Sequence, residues 1–229
     1  KIIPYFNRSP LEKREKVKFL VTDMNAAYFQ LTKNVFPTAK LIIDRFHIVK
    51  HLNTAFNDFR VREMKRLITN KKKSKANKLK SNWKLLLKNQ TNISISEFKT
   101  WRSFPSPKYH LLTESMVIDR LLSFSSELKE AYDIFHLLMY HFRNKDDRSF
   151  FELLKNLPDS LDTQFRNKIE NLISYEEGIR NALKYNFSNG KIEAKNTHIK
   201  TLKRVSYGFN SFTNMRIRIF LINGLIKIK

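Results

Sequence analysis

The sequence predicts a helix-dominated α/β fold. Three observations carry that expectation. Glycine and proline are scarce, 4 and 6 among 229 residues, so turns are few and the segments between them are long. Two short apolar runs near the start each end in an aspartate and flank a segment of helical composition. Beyond them, apolar residues recur at spacings of three and four almost to the end.

Each element follows in order. Residues 17–22 form a β-branched run that ends at Asp23, which reads as a buried strand. Residues 25–36 have helical composition and stop before Pro37. Residues 40–44 are a second apolar run ending at Asp44. Strand, helix and strand at this spacing make a βαβ unit with a parallel pair. Phe46, Val49, Leu52, Phe56, Phe59, Met64 and Leu67 then mark a long amphipathic helix. Further helices are expected over 95–104, 115–142, 148–157 and 162–185. Phe187-Ser-Asn-Gly190 is a break whose Ser188 or Asn189 can cap a helix over 191–206. Tyr207-Gly208 ends that helix, and an apolar and basic helical pattern resumes at Asn214.

Charge narrows the function. The chain holds 44 Lys and Arg against 21 Asp and Glu, a net +23, yet it is 41% hydrophobic with 19 Phe. Such a chain buries a core and carries its surplus outside, where a polyanion is the natural partner. Nucleic acid comes first and an anionic membrane second. With no cysteine, disulfides and thiolate zinc sites are excluded for these residues. No apolar run approaches the roughly 18 residues of a membrane span, and no Gly-rich phosphate loop or nucleophile elbow occurs. Residues 60–88 carry 12 Lys or Arg and one acid, Glu63. Within them, 71–80 is expected to be a mobile or DNA-facing loop, while Leu79, Trp83 and Leu85 point to folded flanks.

Three acids stand out by position. Asp23 and Asp44 both lie at the carboxyl ends of predicted strands, where open α/β sheets gather ligands. An Asp ending a strand is equally an ordinary helix cap. Glu193 is the one acid among ten Lys or Arg from residue 181 to the end. On a helix it shares a face with Asn196, Lys200, Arg204 and Tyr207, with Ile192, Ile199, Leu202 and Val205 opposite. It reads either as a first-turn acid favoured by the helix dipole or as a metal ligand flanked by phosphate-binding groups. His47 pairs locally with Asp44 at a spacing of three. His47 and His51 lack the neighbouring acid of a zincin, so zinc is not expected there.

These residues resemble a known pattern. Val21-Thr-Asp-Met24, Tyr28, Phe36-Pro37-Thr-Ala39, Ile43-Asp-Arg-Phe-His47, Val49-Lys50 and Leu52-Asn53 look like the centre of a bacterial insertion-sequence transposase of the ISL-three family. Ser188-Asn-Gly190, Glu193, Asn196, Ile199-Lys200, Leu202-Lys-Arg204, Tyr207-Gly-Phe209, Phe212 and Met215-Arg216 resemble its C-terminal signature. Trp83-Lys84-Leu85 and Leu128-Lys-Glu-Ala-Tyr132 fall between the two, so the resemblance spans nearly the whole chain.

The resemblance implies an RNase H-like core with a triad of two Asp and one Glu. Asp23 matches the second Asp and Glu193 the Glu, both as catalytic residues and metal ligands. Asp44 and His47 match a D-x-x-H motif and, with Asn196, would support the site. Lys200, Lys203, Arg204, Tyr207 and Arg216 would bind DNA. The cofactor implied is Mg²⁺ or Mn²⁺, two ions in the intact enzyme. The core would comprise 1–53 and 186–229, with 54–185 an all-helical insertion before the Glu-bearing helix. Residues 1–18 hold only Glu12 and Glu15 as acids, so the first triad Asp has no counterpart and the core is expected to be incomplete. The chain then reads as the C-terminal part of a transposase, inactive or nearly so alone. Its expected partners are transposon ends and target DNA, with a homo-oligomer forming on DNA. No membrane and no small-molecule substrate are expected, and the location is the bacterial cytoplasm, at the nucleoid when DNA-bound. The competing expectation is a non-enzymatic helical DNA-binding protein or an inactive relic.

Overall fold

A computed structural model describes residues 2–226, apart from the side chains of Ile2, Ala26, Ala27, Tyr28, Gln30 and Leu31. Tyr28 of the central motif therefore lies outside the described side chains. The chain divides into two compact units, residues 1–186 and 187–229.

The first unit opens on short helices α1 (Ile2–Phe6) and α2 (Leu11–Arg14). β1 (Phe19–Thr22) and β2 (Lys40–Ile43) then pair in parallel, with Phe19 opposite Lys40 and Thr22 opposite Ile43. Helix α3 (Ala26–Val35) makes the crossover between them, and its C-terminal Val35 is fully buried. β2 packs against α11 (Glu176–Lys184), with Gly178 at the crossing. A Cβ on Gly178 would stand 2.7 Å from Ile43 Cγ1, so the close helix–strand approach requires glycine there. Asn181 Nδ2 donates to the Leu41 carbonyl at 2.8 Å, tying the helix to the strand backbone.

Helix α4 (Arg45–Thr69) runs directly from β2. Its buried stripe of Ile48, Leu52, Phe56, Phe59 and Leu67 is the organising face of the core. Phe56 stacks on Phe135 of α8 (Ser126–Arg143) at 4.9 Å and 12°, and Phe165 of α10 (Thr163–Glu170) meets both Phe56 and Phe59. Helices α7 (Glu114–Leu122) and α9 (Asp147–Lys155) add further buried Leu, Val and Phe.

Several expected boundaries change. Residues 71–80 are not a loop. Lys73–Ser81 is a helix, α5, that folds back on α4 through a turn in which Lys71 has φ 58°. Ala76 and Leu79 are buried, and buried Arg60 donates to the Leu79 carbonyl at 3.1 Å. Lysines then occupy the remaining faces, so a charge-rich stretch still meets the core along one stripe. Helix α6 (Trp83–Leu86) follows. The expected helix over 95–104 is absent. Two isolated antiparallel bridges, Lys99 with Leu112 and Trp101 with Phe104, shape this segment. Ser94 N–H is held by the Glu114 carboxylate at 3.0 Å, and Pro105 and Pro107 block helical continuation. The single helix expected over 115–142 breaks at Ser123–Ser125, because Ser125 Oγ caps α8 by accepting from Leu128 N at 3.0 Å. The one expected over 162–185 is divided by a 3-10 turn, Asn171–Tyr175.

The second unit is a pair of helices, α12 (Gly190–Val205) and α13 (Phe212–Ile222). Tyr207 (φ 51°) and Gly208 (φ 97°) end α12. Gly208 N–H donates back to the Lys203 carbonyl at 3.1 Å, a Schellman-type stop for which glycine has no steric penalty. Ser211 Oγ caps α13 by accepting from Asn214 N at 3.3 Å.

Candidate active site

The parallel register places Asp23 and Asp44 at the same carboxyl edge, since Thr22 and Ile43 are opposite each other and each acid comes next in its chain. Backbone bonds reinforce the alignment, with Asp44 N–H donating to the Thr22 carbonyl at 2.8 Å. The two acids differ in environment. Asp44 is buried and caps α4, its Oδ1 accepting from Phe46 N at 2.9 Å. Asp23 is half-buried, its carbonyl accepting from Asn25 N at 2.9 Å in the turn that leads to α3.

Asp23 lines an open cleft of about 250 Å³ with Met24, His47, Lys50, His51, Thr54 and Lys168. His47, Lys50, His51 and Thr54 lie on successive turns of α4, which brings them to one side. His51 Nε2 lies 2.7 Å from the Lys168 carbonyl. A carbonyl only accepts, so this nitrogen carries the proton and is unavailable to a metal. Lys168 Nζ turns to Asp58 at 2.5 Å. Lys50 lines the same cleft as Asp23, so a carboxylate and a cation border one opening, a combination suited to a phosphate and its counterion. His47 N–H donates to the Asp44 carbonyl at 3.0 Å, the first backbone bond of the helix.

A hard divalent cation needs oxygen ligands. Asp23 fits as one of them by its half-exposed position on the cleft. Asp44 fits less well, because its carboxylate is buried and engaged with the α4 N-terminus. Among the described residues, no three His, Asp or Glu gather as a ligand set.

In the second unit, Glu193 lies in the first turn of α12, where its N–H bonds to the Asn189 carbonyl at 2.9 Å. Its side chain is exposed, as are those of Asn196, Lys200, Lys203, Arg204 and Tyr207, and that of Arg216 on α13. Helical spacing keeps Glu193, Asn196, Lys200 and Arg204 on one face, but Tyr207, expected on that face, lies beyond the end of α12 with φ 51° because the helix stops at Val205. The opposite face is only partly covered. Leu202 is buried and Ile199 half-buried, but Ile192 and Val205 are 62% and 63% exposed.

Two contributors escape sequence reasoning. Arg45 anchors the start of α4 to the end of α11, Nε donating to the Ala182 carbonyl at 2.7 Å and Nη2 to Asn186 at 3.1 Å. Lys168 reaches the Asp23 cleft from 145 positions downstream. Neither carries a local signal, because both act across long chain separations.

Comparison with known proteins adds three findings. A family model described as a transposase, the DDE type of the ISL-three group, matches residues 1–219. A protein of Lactococcus lactis subsp. lactis named an ATP-dependent protease is 40% identical over 116 residues. That match takes in 49% of this chain and 36% of the relative, so the chain spans about a third of that protein's length. No solved structure matches the chain. With a family model covering nearly all of its length, and with paired acids at the carboxyl edge of a parallel βαβ unit, the chain belongs to the ISL-three family of DDE transposases.

Proposed function

We propose that the chain forms the later part of a transposase catalytic core, acting on insertion-sequence DNA by metal-dependent cutting and strand transfer. The observation that carries this reading is the parallel β1–β2 pair with Asp23 and Asp44 on its carboxyl edge. A net charge of +23 supports DNA as partner. On this reading β1, α3 and β2 belong to an RNase H-like core (1–53), residues 54–185 are a helical insertion, and 186–229 supply the Glu-bearing helix. The name of the Lactococcus relative describes that protein, of which this chain spans about a third, and no protease reading is taken from it.

Asp23 and Glu193 are proposed as two carboxylate ligands of the catalytic metal. Divalent ions of the Mg²⁺ or Mn²⁺ kind, when bound, supply charge stabilisation for in-line attack on phosphorus. The chain's own groups bind and orient DNA. Lys50 holds a phosphate beside Asp23, Asp44 fixes the α4 start that presents His47, and Lys200, Lys203, Arg204 and Arg216 neutralise further phosphates. Asn196 and Tyr207 add polar contacts to the backbone. No Asp occurs in residues 1–22, so one carboxylate of the triad lacks a counterpart and this chain alone is a weak catalyst. Assembly as a homo-oligomer on DNA belongs to the same proposal.

Iron-directed cleavage tests the metal assignment without needing turnover. Fe²⁺ with ascorbate in place of Mg²⁺ generates hydroxyl radicals that cut the polypeptide beside the bound ion. Cuts are expected near residues 23 and 193, and both should disappear in Asp23→Ala and in Glu193→Ala. Cuts that survive either substitution, or their absence from the unmodified chain bound to DNA, would refute the shared metal.

A further inference from the structure

Four open clefts of the first unit follow one another, each having lining residues in common with the next. The Asp23 cleft shares Lys50 and Thr54 with a cleft of about 290 Å³ bordered by Phe46, Asn53 and Trp83. Trp83 also borders the next, with Lys84 and Trp101. Ser81, Asn82 and Trp101 are common to that cleft and the largest, about 970 Å³, which carries Lys73, Lys78 and Arg102. The series begins at the proposed catalytic Asp23 and crosses α4 to α5.

The lining is unusual for a plain surface. Phe46 is 60% exposed and Trp83 39% exposed, and each has a lysine ammonium near its ring, Lys50 at 5.9 Å and Lys84 at 5.7 Å. Water gains nothing from such rings, whereas stacked bases do, and flanking cations meet the phosphates between them. Besides Asp23, the acid along the path is Glu114, and it is neutralised in place by Lys88 at 2.5 Å and Lys99 at 3.6 Å. Burial pushes the Glu114 carboxyl up, but hydrogen bonds from Lys88 and the Ser94 N–H outweigh it and hold the group below the ordinary range, so it stays paired rather than repelling a strand. Lys78 is positioned by the rings of Phe104 at 4.5 Å and Tyr109 at 5.3 Å.

We propose that these clefts together form one track for an unpaired DNA strand, with Phe46 and Trp83 stacking bases next to the proposed cleavage site and the lysines of α5 binding the backbone farther along. The proposal rests on the transposase reading and adds to it the form of the substrate held beside Asp23, a strand separated from its complement.

Both tryptophans of the chain line the track, so intrinsic fluorescence reports its occupancy directly. A single-stranded thymidine oligonucleotide and a blunt mixed-sequence duplex would each be titrated into the full chain over a salt series. The single strand should quench the emission. Trp83→Ala and Phe46→Ala should each weaken single-strand binding about tenfold, with little change in salt slope, because stacking releases few counterions. Trp83→Phe keeps a stacking ring and should stay within about twofold, which separates stacking from misfolding. Unquenched emission, or unaltered affinity in Trp83→Ala, overturns the track. If the duplex still binds under those outcomes, the transposase reading stands and only the track is lost. Failure of both nucleic acids to bind at low salt removes both.

Discussion

The two units spend their apolar residues differently. In the first, large side chains point inward, and Phe56, Phe59, Phe104, Phe135, Phe150, Phe151 and Phe165 are all nearly or wholly inaccessible. In the second, Leu202 is the buried hydrophobic residue among those described, while Ile192, Val205, Tyr207, Phe212 and Leu225 are all more than half exposed. Helices of 16 and 11 residues gain little stability without a packed face, since isolated helices of that length are marginal in water. The first unit is therefore built to hold a geometry. The second is built to present side chains, with Glu193 and its basic neighbours on an exposed helix.

The sharpest way to break the contrast is to excavate the first core. Phe135→Ala removes a fully buried ring stacked on Phe56 and should cost about 3–5 kcal/mol, read as a fall in the denaturation midpoint with cooperative loss of the whole first unit. The same truncation at Phe212, 70% exposed, should shift the midpoint little.

Acid should act on the first unit through His136. It is 4% exposed, its Nε2 bonds the Leu86 carbonyl at 3.0 Å, and burial lowers its pKa to about 4 from 6.5. The native state then binds fewer protons than the unfolded chain between those values. Its contribution is fully present above about pH 6.5 and is lost progressively as pH falls toward 4, by about 3 kcal/mol in all. A stability–pH profile should show that loss, and His136→Leu should flatten it.

The smallest effect probes the second unit. Gly208→Ala forces an alanine to φ 97° and should cost about 1 kcal/mol. It should show as faster amide exchange at the end of α12, with the first unit's exchange unchanged. Slowing there, or spread into the first unit, would mean that the two units do not divide their stability as described.

Much of the framework was legible in the residues. The apolar runs ending in Asp23 and Asp44 read as parallel strands because such strands are short and continuously apolar, but only β2 is buried as expected, while β1 is half-buried up to Thr22. The α4 stripe read as a helix because its period is helical over many turns. The basic stretch did not read as α5, because two residues, Ala76 and Leu79, decide its packing and they are few among lysines. The segment after Ile93 imitated a helix through Ile95, Phe98 and Trp101. The partner that keeps Ser94 out of a helix, Glu114, lies 20 residues away.

At the site, the acids and the exposed basic face of α12 were visible as residue types at spacings. The sequence by itself determined the helical class, the charge that calls for a polyanion, the family and the candidate carboxylates, because each depends on local pattern. Tertiary structure alone decided that Asp44 is spent on the α4 N-terminus while Asp23 lines a cleft. It also decided that Lys168 joins that cleft, that Arg45 ties the start of α4 to α11, and that Phe46, Trp83 and Trp101 border neighbouring clefts. Those outcomes turn on which side chains meet after distant segments pack, and a linear pattern holds no record of contacts made across a hundred residues.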